Sequence, residues 1–258
     1  MDIGILGFGT LGKAIAEGLR ARTPVERIAA TTRSTRAQHG DIVPVASNRE
    51  LAGISDVLFI CVKPAQVEQV AREIAHDVRP GALVISAAAG VTTENLRAWL
   101  GPEVAIVRAM PNMPARIGLG MTAIAAGTGA TDAHLQTASQ LFAALGRVCV
   151  VEERLMDAVT GISGCGPAYV YLIAESLAEA GVKLGLPRHI ALELAAQTLH
   201  GASAMVLQTG AHPAALKDEV TTPAGCTIDG LLALEDGGLR STLVRAVTAA
   251  AERSARLG

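Results

Sequence analysis

The stretch "DIGILGFGTLGKAIAEGLRA", residues 2–21, decides the fold. A short apolar run ends at Gly7, and Gly7, Gly9 and Gly12 then stand at G-x-G-x-x-G spacing before apolar residues recur with helical period. Strand, tight turn and helix follow from that order. The first glycine allows the turn, the second lets a pyrophosphate approach the backbone, and the third lets the helix pack closely on the strand. The amides that open the helix, at Thr10, Leu11 and Gly12, then point at the phosphates. A glycine-rich turn without a ligand has the same local pattern. The preceding apolar strand and the following periodic helix are what favour a dinucleotide.

Moving outward, further apolar runs read as strands: "ERIAATT" (26–32), "DVLFICV" (56–62), "ALVISAA" (82–88), "VAIVRAM" (104–110), "MTAIAAG" (121–127) and "RVCVV" (147–151). Helical patterns separate them, one running to residue 76, one over "TTENLRAWL" and one over 131–144. Alternation of this kind predicts an α/β fold, a Rossmann-type doubly wound and mostly parallel sheet, ending near residue 151. Ligands of such sheets lie beyond the carboxyl ends of the strands. Those ends carry "CVKPAQ", "SAAAG" and "RAMPNMPA". They make Val62, Lys63, Pro64, Ala89 and Met110 candidate cofactor contacts, Lys63 through its backbone rather than as an acid.

From residue 152 the strands stop. Helices are expected over 153–160, 167–184, 188–208, 213–219, 227–235 and 239–256, which divides the chain into a dinucleotide-binding domain, 1–151, and an all-helical domain, 152–258. Segments such as "AYVYLIAESLAEAGVKLG" and "ALELAAQTLHGASAMVL" are apolar around most of their circumference. A helix without a polar face is a buried helix. About a hundred residues have too little interior to bury several of them, so the second domain is expected to be a dimerisation domain and the protein a homodimer or higher homo-oligomer.

The end of the second strand reads on the cofactor. An NAD site places Asp or Glu there for the ribose hydroxyls, whereas this chain has "TTRSTR" with Arg33, Ser34 and Arg36. Guanidinium and hydroxyl groups bind a 2′-phosphate that a carboxylate would repel. NADPH is therefore the expected cofactor, with NADH possible.

Composition narrows the function classes. The 258 residues carry a net charge of −2 and only one Trp, two Tyr and three Phe. Without basic clusters or stacking aromatics, nucleic acid is not an expected partner. Four scattered cysteines with no CxxC suit reduced thiols, and the six histidines show no i,i+4 metal pair, so no metal site is expected. The opening residues lack a basic leader and no apolar run approaches membrane-spanning length, so neither a signal peptide nor a membrane is expected, and the location is taken as cytoplasmic.

In the second domain "VTTPAGCTIDGL", residues 220–231, breaks the helical pattern with a small polar loop. Amides freed by such a break, around Gly225, Cys226 and Thr227, can hold a carboxylate as a helix N-terminus does. Thr227 fits either that ligand or a plain N-cap.

Together, "GILGFGTLGKAIAEGL", "CVKPAQV", "RAMPNMPA", "DAVTGISGCGPAYVYLIAESLAEAGVKLGLPR" and "HPAALKDEVTTPAGCTIDGL" resemble the pyrroline-5-carboxylate reductases in order and spacing over essentially the whole chain. The resemblance implies NAD(P)H-dependent reduction of 1-pyrroline-5-carboxylate to L-proline, the last step of proline biosynthesis, at sites completed between subunits. It implies Thr227 as the residue contacting the reacting ring, Val220, Thr222, Gly225 and Cys226 around it, and Asn48 and Asn112 near the cofactor. The chain departs from the family pattern at Met113, at Cys165 and in "PAGCT", where "PGGTT" is usual. Two other readings share the Rossmann front end. A β-hydroxyacid reductase needs a lysine beyond "GISG", where this chain has Ala168 and no lysine between 63 and 183. A non-catalytic NADPH sensor would bind the cofactor without consuming it.

Overall fold

The computed structural model describes residues 1–31 and 42–257. Arg33, Ser34 and Arg36, assigned above to a 2′-phosphate, lie outside the described residues. The chain divides into two compact units, one formed by Met1–Cys165 with Val247–Gly258 and the other by Gly166–Ala246.

In the first unit the order is β1 (Asp2–Leu6), α1 (Thr10–Arg22), β2 (Arg27–Thr31), β3 (Val43–Pro44), α2 (Asn48–Ile54), β4 (Val57–Ile60), α3 (Pro64–Ile74), β5 (Leu83–Ser86), α4 (Thr93–Leu100), β6 (Ala105–Met110), β7 (Gly120–Ala126), α5 (Asp132–Ala143) and β8 (Gly146–Val150). The strands form one eight-stranded sheet in the order β3-β2-β1-β4-β5-β6-β7-β8. Among the described residues only β6 and β7 pair antiparallel. The short β3 and α2 were not anticipated; α2 has few apolar positions and is fixed by Ser47, whose hydroxyl accepts from the Glu50 amide at 3.2 Å.

Alternate residues of a strand point to opposite faces, so a sheet covered on both sides must be apolar at every position. The central strands obey this. Val57 and Phe59 of β4 join one core with Ile5, Leu19, Val107 and Phe142, while Leu58 and Ile60 join the other with Leu51, Val67, Ile74 and Leu96. Phe59 and Phe142 meet edge-to-face, ring centroids 5.8 Å apart. Strand order reverses between β1 and β4, and that switch point fixes where a ligand crevice opens.

The segment after β8, expected to begin the helical domain, packs instead with the sheet. Expected as one helix, it consists of a 3-10 turn at Glu153–Leu155, α6 (Met156–Val159) and a π-helical turn at Thr160–Gly164. Arg108 of β6 is only 5% exposed and sits 3.5 Å from both Glu153 and Asp157, which meet the need of a buried charge for counter-charges. Glu153 also accepts from the Thr93 amide at 2.7 Å, and Ser254 donates to Asp157 at 2.7 Å. These bonds carry 152–165 and the chain's last turns into the first unit, which is why the compact division falls at Gly166 and Val247 rather than at 151/152.

The second unit holds α7 (Gly166–Lys183), α8 (Arg188–Thr209), α9 (Pro213–Glu219), α10 (Cys226–Asp236) and the first half of α11 (Leu239–Ser254). α7 and α8 approach closely because small residues meet: Ala178, Ala191 and Ala195 are buried, and a Cβ on Gly181 would lie 3.0 Å from that of Ala191. Few large side chains are covered. Leu172, Leu184, Leu194 and Leu232 are all exposed, Leu184 by 85%. One expectation needs correcting here: α8 is long and apolar enough, by length and composition, to cross a membrane. Glu193, Gln197 and His200 keep its apolar runs short, although its mean hydropathy reaches 1.3.

Candidate functional site

The glycine loop is shaped by two glycines and left open at the third. Gly7 has φ +91, and a Cβ there would come within 2.7 Å of Val62 Cγ1 and 2.9 Å of the Cys61 carbonyl carbon. A Cβ on Gly12 would collide with the carbonyl oxygen of Gly7, so α1 could not lie against the turn. Gly9 differs. Its φ of −82 suits any residue, and no described atom lies within 4 Å of where its Cβ would be. Open space at that position, above an α1 whose first turn has no acidic residue and no capping side chain, is what an approaching phosphate needs. Lys13 Nζ adds a cation nearby, 5.9 Å from the centroid of the Phe8 ring.

A cavity of about 570 Å³ opens at the switch point. Of the anticipated cofactor residues Gly7, Gly9, Asn48, Val62 and Lys63 line it. Thr10, Leu11 and Gly12 begin α1 directly after the loop, and Pro64 is the first residue of α3, where the missing amide costs nothing. Ala89 lies past the end of β5, Met110 is the last residue of β6 and Asn112 follows it; none of the three is part of the cavity lining. Asn112 is engaged within the fold: its Nδ2 donates to the Ser163 carbonyl at 3.1 Å and its Oδ1 accepts from the Met121 amide at 2.9 Å, so it ties β7 to the π-helical turn.

Several lining residues were missed in the sequence. Thr31 ends β2, Ser47 caps α2, and Gln66, Gln69 and Glu73 present a polar stripe of α3 to the cavity. The i, i+3, i+7 spacing of those three was the available signal. Thr31 Oγ1 donates to Asn48 Oδ1 at 2.8 Å, and Asn48 Nδ2 donates to Glu73 Oε2 at 2.9 Å. Cys61 also lines the cavity. It is half-buried by surface, yet surrounding protein desolvates the sulfur and pushes the thiol up to about 12, so it is a neutral wall group at ordinary pH.

In the second unit Val220, Thr222 and Gly225 lie in the loop between α9 and α10, and Cys226 and Thr227 are the first two residues of α10. Val220 is the C-cap of α9 and is exposed. Ala224 holds φ +57, the one non-glycine residue with positive φ among those described. A Cβ on Gly225 would strike the Thr222 hydroxyl, so the loop closes tightly only with glycine there. Two details depart from expectation. The Gly225 amide is not free but donates to the Thr222 carbonyl at 3.0 Å, because the loop folds as a turn. α10 starts at Cys226 with Gly225 as its N-cap, one residue early, so Thr227 is not the cap and its hydroxyl has no capping bond. The first amides of α10, at Cys226 and Thr227, have no preceding turn of helix to bond to and no side chain caps them.

Residues 153–257 match the family model described as pyrroline-5-carboxylate reductase dimerisation, and residues 2–90 match one described as NADP oxidoreductase, coenzyme F420-dependent. A pyrroline-5-carboxylate reductase of Synechocystis sp. is 43% identical over 100% of this chain and 98% of its own length. That of Glycine max is 41% identical over 99% and 95%. The crystal structure of Plasmodium falciparum pyrroline carboxylate reductase with NADP bound superposes with a TM-score of 0.93 at 33% identity, covering 100% of this chain and 98% of that one. Identity at that level sustained from end to end of the chain means that this protein belongs to the pyrroline-5-carboxylate reductase family.

Proposed function

We propose that this chain reduces 1-pyrroline-5-carboxylate to L-proline with NADPH as the hydride donor, NADH serving less well. The observation that carries the reading is the open space at Gly9 beside the uncapped start of α1, between two glycines that the turn itself requires. The donor set fits the group: free amides for a pyrophosphate and a roomy crevice bounded by Val62 and Lys63. Bound there, NADPH would supply a hydride, which carries the electron pair of the reduction. Arg33 and Ser34 are assigned to its 2′-phosphate on chemistry alone.

The remaining work belongs to the chain's own groups. Protonated at nitrogen, the ring imine is already electrophilic at carbon, so the protein has to position it rather than activate it. The Cys226 and Thr227 amides at the start of α10 hold the substrate carboxylate, and the helix N-terminus favours its charge. The Thr227 hydroxyl bonds the ring nitrogen, with Val220, Thr222 and Gly225 forming the wall of the loop. Ala89, Met110 and Asn112 lie on the side of the crevice where the nicotinamide end runs, Asn112 by fixing backbone rather than by direct contact. A homo-oligomer, formed through the helical half of the chain (152–258, after a dinucleotide-binding part over 1–151) although 152–165 packs with the sheet, accounts for the exposed leucines of α7, α8 and α10. The four cysteines are all free thiols, which suits the cytoplasm. The test is spectrophotometric: purified protein with NADPH and 1-pyrroline-5-carboxylate oxidises the cofactor and yields proline. Binding of NADPH with no turnover would refute the reading.

A further inference from the structure

Thr31, Asn48 and Glu73 come from three separate elements, the end of β2, the start of α2 and the far end of α3, and all three line the cavity at the switch point. Their hydrogen bonds run in one direction, from the Thr31 hydroxyl to the Asn48 carbonyl at 2.8 Å and from the Asn48 amide to the Glu73 carboxylate at 2.9 Å. Among the described residues Glu73 is in no ion pair, although other acids nearby in the chain are paired, Glu68 with Arg72 and Asp77 with Arg49. Its carboxylate serves an amide instead of a cation.

We propose that Glu73 is a positioning residue of the cofactor site, which locks the side-chain amide of Asn48 in one orientation for the adenosine half of NADPH. An ionised carboxylate only accepts hydrogen bonds, so it admits the Nδ2 side of the amide and rejects the oxygen side. Without it an asparagine amide next to a hydroxyl has two nearly equivalent flips, because a hydroxyl either donates or accepts. Once locked, Asn48 has by valence one further N–H and one further carbonyl lone pair in fixed directions at the cavity wall. That pair matches a ribose hydroxyl, which both donates and accepts, or a donor–acceptor edge of the base. Fixing the group before the ligand arrives removes an ordering cost from binding. The lock also explains how a carboxylate is tolerated near a polyanion: its charge is partly spent on the amide, and it acts at one remove. The inference rests on the NADP(H) reading of the cavity.

The experiment is a double-mutant cycle on the full-length protein, read by fluorescence titration with NADPH in the absence of imine and by steady-state kinetics. Glu73→Ala is expected to weaken NADPH binding about tenfold, the scale of one directed hydrogen bond, with the loss in KM for NADPH and not in kcat. Glu73→Gln, whose amide oxygen still accepts from Asn48, restores most of the affinity. In the Asn48→Ala background, Glu73→Ala adds less than about twofold, since its effect runs through the missing side chain. Full additivity of the two substitutions overturns the proposal. So does unchanged affinity in Glu73→Ala, and so does tighter binding of NADPH but not NADH, which would mean that the carboxylate acts by repelling the 2′-phosphate directly. A wild-type protein that binds no NADPH sinks the parent reading; a variant that binds like wild type sinks this one alone.

Discussion

The three glycines of the first loop separate, in the structure, into two that serve the fold and one that serves the ligand, and substitution by alanine tests that division. Gly12→Ala drives a methyl onto the Gly7 carbonyl and to 3.1 Å from Ile5 Cγ2, with backbone on one side unable to yield. Overpacking of this kind costs about 1–3 kcal/mol, of which a better helix former inside α1 returns up to about 1 kcal/mol. At about 2–4 °C per kcal/mol for a protein this size, Tm should fall by several degrees. Gly9→Ala meets no described atom and keeps an ordinary φ of −82, so its stability change should stay within about 1 kcal/mol, the price of alanine at an N-cap. Its effect belongs to the ligand. A methyl in the path of the pyrophosphate lengthens or removes at least one amide-to-phosphate bond, each worth about 1.5–3 kcal/mol, so NADPH affinity should fall about tenfold to a hundredfold. Thermal melts without nucleotide and fluorescence titrations with NADPH give the two readouts independently. The opposite pattern, a destabilised Gly9→Ala that still binds NADPH within about twofold of wild type, would refute the reasoning, because the phosphates would then pass elsewhere.

Three further outcomes are expected. Thr227→Ala should lower kcat/KM for the imine by about 1–3 kcal/mol, the loss of a buried hydrogen bond, while leaving NADPH affinity alone; equal kcat/KM in the variant removes Thr227 from the reaction. Ala224→Gly should raise Tm by about 1–2 °C, since the left-handed backbone costs alanine about 1–2 kcal/mol and the looser unfolded glycine chain gives back only about 0.4–1 kcal/mol; a lower Tm would show that the φ of +57 carries no strain. Because folding raises the Cys61 thiol from 9.0 to about 12, the folded state holds that proton more tightly. The stabilisation is complete below pH 9.0 and is lost as pH rises from 9.0 toward 12, so Cys61→Ala should flatten the decline of the urea midpoint across that window; an identical decline in both proteins would refute it.

Most of the helices and strands were legible because their signals are local. β1, the glycine loop and α1 follow from a dozen neighbouring residues, and α9 starts and stops at residues 213 and 219 as its proline and flanking polar residues predict. What was missed had weak local signals: a two-residue β3, the short α2, and the π-helical turn at Thr160–Gly164, whose composition is that of any small-residue helix. In the site, the glycines and the "VKP" strand end were readable because spacing alone places them beyond the sheet. Glu73 was readable only in part: its i, i+3, i+7 spacing with Gln66 and Gln69 marks a polar stripe of α3, but nothing local says that this stripe faces α2.

The sequence by itself determined the alternation of most strands and helices, the carboxyl ends of the strands as the place for a ligand, and the loop that opens the helical half. Each depends on backbone preferences and apolar periodicity within one segment. Only the tertiary structure decided that Gly9 is free where Gly7 and Gly12 are crowded, that residues 152–165 belong with the sheet through Arg108, and that a threonine, an asparagine and a glutamate from three elements share one hydrogen-bonded wall. Those facts depend on distances between segments remote in the chain, and such distances are fixed by how the packed layers fit together rather than by any local pattern.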